Sequence, residues 1–315
     1  MRRDLYFKLF SSSVMVRGKS FGAIYLLNRE RIERIPLEIC DLIGGLSQFS
    51  IEQVKNQFEN SLLVEQWIDY LWKNNIGHFT SEPTLFCDLP TEYHRPSFIH
   101  RAQIEISPKS SFDVASIAFQ LDNLLCKHIE IRCVGLVRIE TISSLISCFS
   151  RSCVRSIDLY VEKSSDIKKE DIVSVVENNP KIHTAYLFNS LSTARLRNVF
   201  FITRDFPSIS EKKWDLNRLV VNNQFFSESI KHNTFYHKKI AIDSNGFVKN
   251  DLSLSETFGN VNTTNISNIV FSDDFMRFWD INVDLIEQLK DSELRYAIYP
   301  ARPLIQENGK YHIKI

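Results

Sequence analysis

The sequence predicts a chain that is α+β at its start and α/β in its middle, with an irregular final third, and three observations predict it. Four short strand-like runs crowd the first 35 residues, and three helical patterns follow. Strands and amphipathic helices then alternate between 102 and 203, the rhythm of crossover units in a parallel sheet. Beyond 217, polar and aromatic residues mix without a steady period. At 315 residues the chain exceeds what one core usually holds, so two or three domains are expected.

Within 1–80, the runs Phe7 to Phe10, Ser13 to Val16, Ala23 to Leu27 and Arg31 to Ile35 read as a small antiparallel meander, with turns at Arg17-Gly18 and Asn28-Arg29. Pro36 suits the first turn of a helix whose apolar face is Leu37, Ile39, Leu42, Ile43 and Leu46. Ser50 and Gln53 have the spacing of a capping box for a second helix, Ile51 to Phe58. A third helix, Ser61 to Asn75, carries Val64, Trp67, Ile68 and Leu71 at helical spacing, and Gly77 stands where a C-terminal cap is expected. Residues 81–100, with Pro83, Pro90 and Pro96, read as a linker.

Over 101–216 the expected strands are Ala102 to Ile106, His128 to Cys133, Ser156 to Val161, His183 to Leu187 and Val199 to Thr203. Helices Asp113 to Leu125, Ile139 to Phe149 and Lys169 to Asn178 separate them, so the middle is a partial parallel βα barrel, too short for eight units. In 217–315, Ile240 to Val248 reads as a hairpin turning at Ser244-Asn245-Gly246, and Asp273 to Leu289 as a helix. The tail beyond Tyr299 is expected to lie over other elements.

With 38 basic against 38 acidic residues the chain lacks the positive field of a dedicated nucleic-acid binder. It has no apolar run of about 18 residues, and its opening MRRDLYFKLF lacks the apolar core of a secretory signal, so a cytoplasmic protein free of membrane contact is expected. Six cysteines, none in a CxxC pair and none after Cys153, read as reduced, buried small hydrophobes. Gly18-Lys19-Ser20 has the end of a phosphate loop, but Ser13 stands where its first glycine belongs. The eight histidines form no HExxH, and no GxSxG occurs.

A meander followed by three helices is also a winged-helix composition, which raises DNA reading as a rival. The third helix, SLLVEQWIDYLWKNN, opposes it, because Glu65 and Asp69 accompany a single basic residue, Lys73. Such a module can instead take an extended peptide along a free strand edge. Arg31 to Ile35 is the candidate edge, and its alternating charges either read a peptide or keep the edge soluble.

The run AIYLLNRERIERIPLEICDLI from Ala23 to Ile43 resembles the PqqD-like recognition element of peptide natural-product pathways. In that family the leader of a precursor peptide adds to the third strand and packs on the third helix. The resemblance therefore implicates Arg31, Ile32, Glu33, Arg34 and Ile35 together with Gln66 and Tyr70. The whole chain resembles the SPASM-domain peptide maturases of grasp-with-spasm systems, which accompany an ATP-grasp ligase and a small precursor peptide. The likeness runs through FKLFSSSVMVRG, LLCKHIEIR, SRSCVRSIDLYVE and ENNPKIHTAYL. It sharpens at Lys231 to Tyr236, Ile240 to Gly246, Asp251 to Asn260 and Lys290 to Tyr296.

The ligands of that family are missing. Where its pattern places cluster cysteines, this chain has Phe235, Asp251, Leu289, Ser292, Ile298 and Ala301, and Phe, Leu, Ile and Ala cannot bind iron. After Ile106 the chain runs into SPKSSFDV rather than the CxxxCxxC of a radical S-adenosylmethionine site. The resemblance thus implies a degenerate radical-SAM-like middle and a degenerate SPASM region, with no cofactor. A hydrophobic knot is expected near Phe235, Leu289, Ile298 and Tyr299, and a structural hydrogen-bond network at Glu293, Arg295 and Tyr296. The function implied is that of an accessory protein in ribosomal peptide biosynthesis that binds a precursor leader and presents it to a partner such as an ATP-grasp ligase. The rival is a metal-independent peptide-modifying enzyme with its site in the βα domain; a DNA-binding regulator is a third reading, and a homodimer is left open.

Overall fold

A computed structural model describes residues 5–135, 137–164, 167–206 and 219–314. The expected boundary at 216/217 lies outside the described residues. Two units are distinguished, one formed by Met1–Tyr93, Asp215–Phe235 and Asp280–Ile315, the other by His94–Trp214 and Tyr236–Trp279.

The first unit opens with β1 (Tyr6–Leu9), β2 (Ser13–Arg17), β3 (Gly22–Leu26) and β4 (Arg31–Ile35), then α1 (Leu37–Gln48), α2 (Ile51–Gln57), α3 (Ser61–Lys73) and β5 (Gly77–Thr80). Only β2, β3 and β4 form the meander; β1 leaves it and pairs antiparallel with β5, Tyr6 opposite Thr80. The cause is Gly77, which is not a cap. Asn75 takes the left-handed turn after α3 with φ 52, and Gly77 lies against β1, where a Cβ would sit 2.5 Å from the Lys8 carbonyl oxygen. Ser50 and Gln53 do form the capping box of α2, with bonds of 3.4 and 2.9 Å. The meander's inner face, Ile24, Leu26 and Ile35, joins Leu42, Leu46, Val64 and Leu71 of α1 and α3 in one core.

The final third contributes more order to this unit than its composition suggests. Asn222 caps a helix at Asn223–Lys231 by accepting the Phe225 N–H at 2.8 Å. A hairpin pairs Leu304–Glu307 with Lys310–Ile313 through Asn308-Gly309, both at positive φ. The helix expected over Asp273 to Leu289 is a correction: only Asp273–Met276 is α-helical, followed by a 3-10 turn at Val283–Leu285. A side chain takes a main-chain group a helix would need, since Asn233 donates to the Ile281 carbonyl at 3.1 Å, and Asn282 ties the segment to the helix at Asn223–Lys231 by donating to the Ile230 carbonyl.

The second unit is an eight-stranded, mostly parallel sheet. Its elements are β6 (Arg101–Ile106), α4 (Val114–Asn123), β7 (His128–Cys133), α5 (Ile139–Cys148), β8 (Ser156–Glu162), α6 (Lys169–Glu177) and β9 (Ile182–Phe188). β10 (Ala194–Leu196), β11 (Val199–Phe201), β12 (Lys239–Ile242) and β13 (Val248–Lys249) complete it. The order is β10-β11-β9-β8-β7-β6-β12-β13, antiparallel only at the two ends. The sheet is larger than the sequence suggests because β12, the first arm of the expected hairpin, pairs parallel with β6. The apolar residues Ile104, Ile129, Ile131, Leu159 and Leu187 are buried, as are Ile117, Ile142 and Ile172 of the crossover helices.

The cysteine expectation holds for Cys40, Cys126 and Cys133, which are buried; Cys148 and Cys153 are half-buried and Cys87 is exposed. Cys87 sits in the proline-rich stretch, whose backbone follows the surface and offers it no core. Among the described residues, no helix is long and apolar enough to cross a membrane.

Candidate functional site

Arg31–Ile35 lies at one edge of the order β2-β3-β4. Antiparallel pairs alternate between bonded and non-bonded positions, so one bond sets the pattern. Leu27 N–H donates to the Ser12 carbonyl at 2.9 Å, which makes Val14/Tyr25 and Val16/Ala23 the bonded pairs of β2 and β3. Ile24 and Leu26 then turn toward Glu33 and Arg31, and the main-chain groups of Ile32 and Arg34 point outward. An added strand would bond to those two residues.

Charges decorate this edge in neutralised pairs. Arg31 reaches Glu33 at 2.9 Å, and Arg34 reaches the buried carboxylate of Glu293 at 2.7 Å while lying over the Phe21 ring. Tyr70, on the exposed face of α3, donates to Glu33 at 2.6 Å and so ties helix to edge. That bond to the carboxylate, aided by partial burial, raises the Tyr70 phenol above its usual range. Gln66 lies one turn earlier and is also exposed, whereas Ile35 is buried in the core. The structure thus brings Glu33 and Tyr70 into contact, puts Gln66 on the helix beside them, and turns Ile35 away from solvent.

The positions implied as former cluster ligands have two fates. Phe235, Leu289, Ile298 and Ala301 are buried, Phe235 meets the ring of Tyr299 at 6.1 Å, and Ile298 pairs with Leu219 in a single bridge. Ser292 caps the following turn by accepting the Leu294 N–H at 3.1 Å. Asp251 belongs to the other unit, where it is ion-paired with Lys239 and accepts from Ser253 N–H at 2.8 Å. Burial pushes its carboxyl up, but the Lys239 charge and the bonds from Lys239 and Ser253 outweigh this and hold it below the usual range. Among the described residues, no group of three His, Cys, Asp or Glu side chains is placed to hold a metal ion. Phe235, Leu289, Ile298 and Ala301 offer no donor, so this residue set does not fit an iron-sulfur cluster. The expected network is present: Arg295 donates to Asp284 at 2.7 Å, Tyr296 donates to the same carboxylate, and Glu293 holds Arg34.

Sequence reasoning missed the polar face of the parallel sheet. Gln103, Glu130, Asp158 and Thr184 form one cross-strand row, and Glu105, Arg132, Tyr160, Tyr186 and Phe200 the next. Arg132 is only 1% exposed, 3.4 Å from Glu130 and 4.8 Å from the Phe206 ring. Gln103 links Glu130 to the Leu252 main chain, and Tyr160 stacks on Tyr186 at 4.8 Å. The signal was available in HIEIRC of β7, whose strict alternation marks a strand with one face not covered by helices.

No family model matches the sequence, and no curated protein matches it. Among solved structures, native anSMEcpe with bound AdoMet and Cp18Cys peptide is similar over 68% of this chain and 93% of its own, at 12% identity and a TM-score of 0.34. Streptococcus suis SuiB bound to precursor peptide SuiA is similar over 87% of this chain and 89% of its own, at 12% identity and a TM-score of 0.20. Both scores fall below the similarity that a shared fold requires.

Proposed function

We propose that this chain is an accessory protein of ribosomal peptide biosynthesis that takes an extended leader segment along β4 and presents the precursor to a partner enzyme such as an ATP-grasp ligase. The proposal assigns 1–80 to peptide recognition, 81–100 to a linker, 101–216 to a partial βα domain and 217–315 to a degenerate SPASM region. One observation carries it: β4 is an edge strand whose Ile32 and Arg34 main-chain groups face outward beside Gln66 and Tyr70 of α3. Main-chain pairing supplies affinity, and the flanking side chains select the sequence. Catalysis then belongs to the partner.

Any short peptides encoded beside the gene would serve as candidate precursors. Binding of their leader halves should protect the Ile32 and Arg34 amides in hydrogen exchange. Arg34→Pro removes one outward donor without touching the ladder to β3. It should weaken leader binding at least tenfold, while Arg34→Ala, which loses the ion pair and the contact with Phe21 but keeps the main-chain donor, should not. Preference for the core half alone, or equal affinity in both variants, would contradict leader recognition at this edge.

A second reading is favoured by the buried Arg132 beside Glu130 and Tyr160. Charged and aromatic groups gathered on a sheet face suit a peptide-modifying site in the βα unit. Turnover of a precursor by the isolated chain, lost in Glu130→Gln, would establish it.

A further inference from the structure

The opposite edge of the same small sheet opens into a cavity. The alternation that frees Ile32 and Arg34 on β4 also turns the main-chain groups of Ser13, Met15 and Arg17 on β2 outward. Two of these are met locally: Ser13 N–H donates to Phe10 at 2.8 Å, and the Arg17 carbonyl accepts from Arg295 at 2.9 Å. The N–H and carbonyl of Met15 have no hydrogen-bond partner among the described residues.

Strand β1 is in the same condition. Phe10 N–H bonds to the Ile76 carbonyl at 3.0 Å, continuing the register with β5, so the even-numbered residues turn to β5 and Phe7 and Leu9 turn their main-chain groups the other way. Both strands line one partly open cavity of about 270 Å³, whose other walls are Ile43, Leu46 and Leu71 of the helices, Leu89 of the proline-rich stretch and Phe226. Main-chain groups withdrawn from water are nearly always paired, yet here edges from two different sheets, with Leu9 and Met15 half-buried, line one mostly apolar space. Gly44 adds an independent sign. It lies inside α1, where glycine is less stable than alanine, and a Cβ there would meet nothing within 4 Å. Its missing side chain leaves the cavity open.

We propose that this slot accepts a second extended segment of the precursor that β4 takes: two or three residues that pair with Met15 on one side and Leu9 on the other, and drop one branched aliphatic side chain between α1 and β2. The proposal rests on the precursor-binding reading and adds a second anchor to it. An extended segment supplies donors and acceptors to both edges at once, which a compact apolar ligand does not. The cavity volume, near the lower end of the range for ligand pockets (~300 Å³), suits a short stretch of chain and one side chain rather than a folded partner.

The test uses the full chain, isotopically labelled, and the capped pentapeptide acetyl-Ser-Thr-Leu-Thr-Ser-amide. Binding should shift the Met15 and Leu9 amides. Replacing the probe's leucine by alanine should weaken it roughly 30-fold, from the apolar burial lost. N-methylation of the leucine amide should abolish it, as should Gly44→Phe, while Gly44→Ala should bind as the parent does. Should Gly44→Phe fail to fold, the two altered probes report on the same slot in the unaltered chain. Equal affinity for the leucine and alanine probes, or shifts confined to Ile32 and Arg34, would overturn the slot. A whole precursor that loses binding in Arg34→Pro yet never shifts Met15 would also overturn it, leaving the β4 reading intact. Retained Met15 and Leu9 shifts in Arg34→Pro would support two separate anchors.

Discussion

Asp251→Ala should be among the most damaging single substitutions in the parallel-sheet unit. Lys239 and Asp251 are 6% and 4% exposed, so the substitution removes a buried carboxylate that is ion-paired with a buried ammonium group. Breaking such a pair costs about 3–5 kcal/mol. An upper bound follows from Lys239 itself, which can shed its proton: from an ordinary value near 10.4 down to pH 7, neutralisation costs about 4.6 kcal/mol. The two bonds from Ser253 are lost with the carboxylate and fall within that figure. A loss of about 4 kcal/mol is expected in urea unfolding at pH 7, with hydrogen exchange on β12 identifying the unit affected. Lys239→Met with Asp251→Leu should recover most of it, since a packed apolar pair replaces the charges. The pH profile has a definite sign. The folded carboxyl lies below its unfolded value of about 3.9, so its contribution is full above that value and is lost as pH falls through the lower folded one. The advantage of the parent over Asp251→Ala should therefore shrink below about pH 4. A cost under 1 kcal/mol, or a double variant as unstable as the single one, would refute this account of the pair.

Gly77→Ala forces a methyl against the Lys8 carbonyl and the Phe7 ring, each 2.5 Å away, and should destabilise by about 1–3 kcal/mol in thermal unfolding. Ser50→Ala removes the acceptor of the α2 capping box and should cost about 1 kcal/mol in the same measurement. His100 is held down to about 3 by burial first and then by Arg95, His128, Arg101 and Lys238. Its stabilising contribution is full above the unfolded value near 6.5 and drains away as pH falls toward 3, so His100→Phe should flatten stability against pH across that window. Glu33→Gln should destabilise by about 1 kcal/mol, because the Glu33 side chain is only 10% exposed and loses its pair with Arg31, while the amide oxygen still accepts from Tyr70. By releasing Arg31 it should strengthen acidic leader peptides and steepen their salt dependence in titration calorimetry.

Much of this architecture was legible because periodicity and short-range chemistry act locally. The strands β2 to β4 and β6 to β9 and helices α1 to α6 follow patterns of two and 3.6 that the backbone obeys within a few residues. The Ser50 box and the Gly246 turn are equally local, Gly246 taking φ +84 as a hairpin turn asks. What escaped notice depends on distant partners. That β1 pairs with β5 is decided by Gly77, across some 70 residues, and no local pattern announces it. The hairpin at Asn308-Gly309 is a different kind of miss, since Asn-Gly is among the strongest short turn signals and was present in the tail. At the candidate site, the sequence marks Arg31 to Ile35 as a charged strand. It does not reveal that Tyr70 and Glu293 would each hold one of its charges, because both bonds close only in three dimensions.

Those two bonds bear on what the charges of β4 are for. An edge kept soluble by charge works through exposed, uncompensated groups that repel an incoming strand. Here Arg31 and Glu33 neutralise one another, and Arg34 is tied to a carboxylate buried within the unit. Such an edge carries little net repulsion. Its charges are instead held in fixed directions, Glu33 and Arg31 toward α3 and Arg34 toward the opposite face, which is the alternation an extended peptide presents. A leader strand of alternating charge can bring carboxylates to the exposed guanidinium ends of Arg31 and Arg34 without displacing Glu33 and Glu293, whose side chains are 10% and 9% exposed. The internal pairs are then kept, and the gain in main-chain bonds at Ile32 and Arg34 decides the outcome.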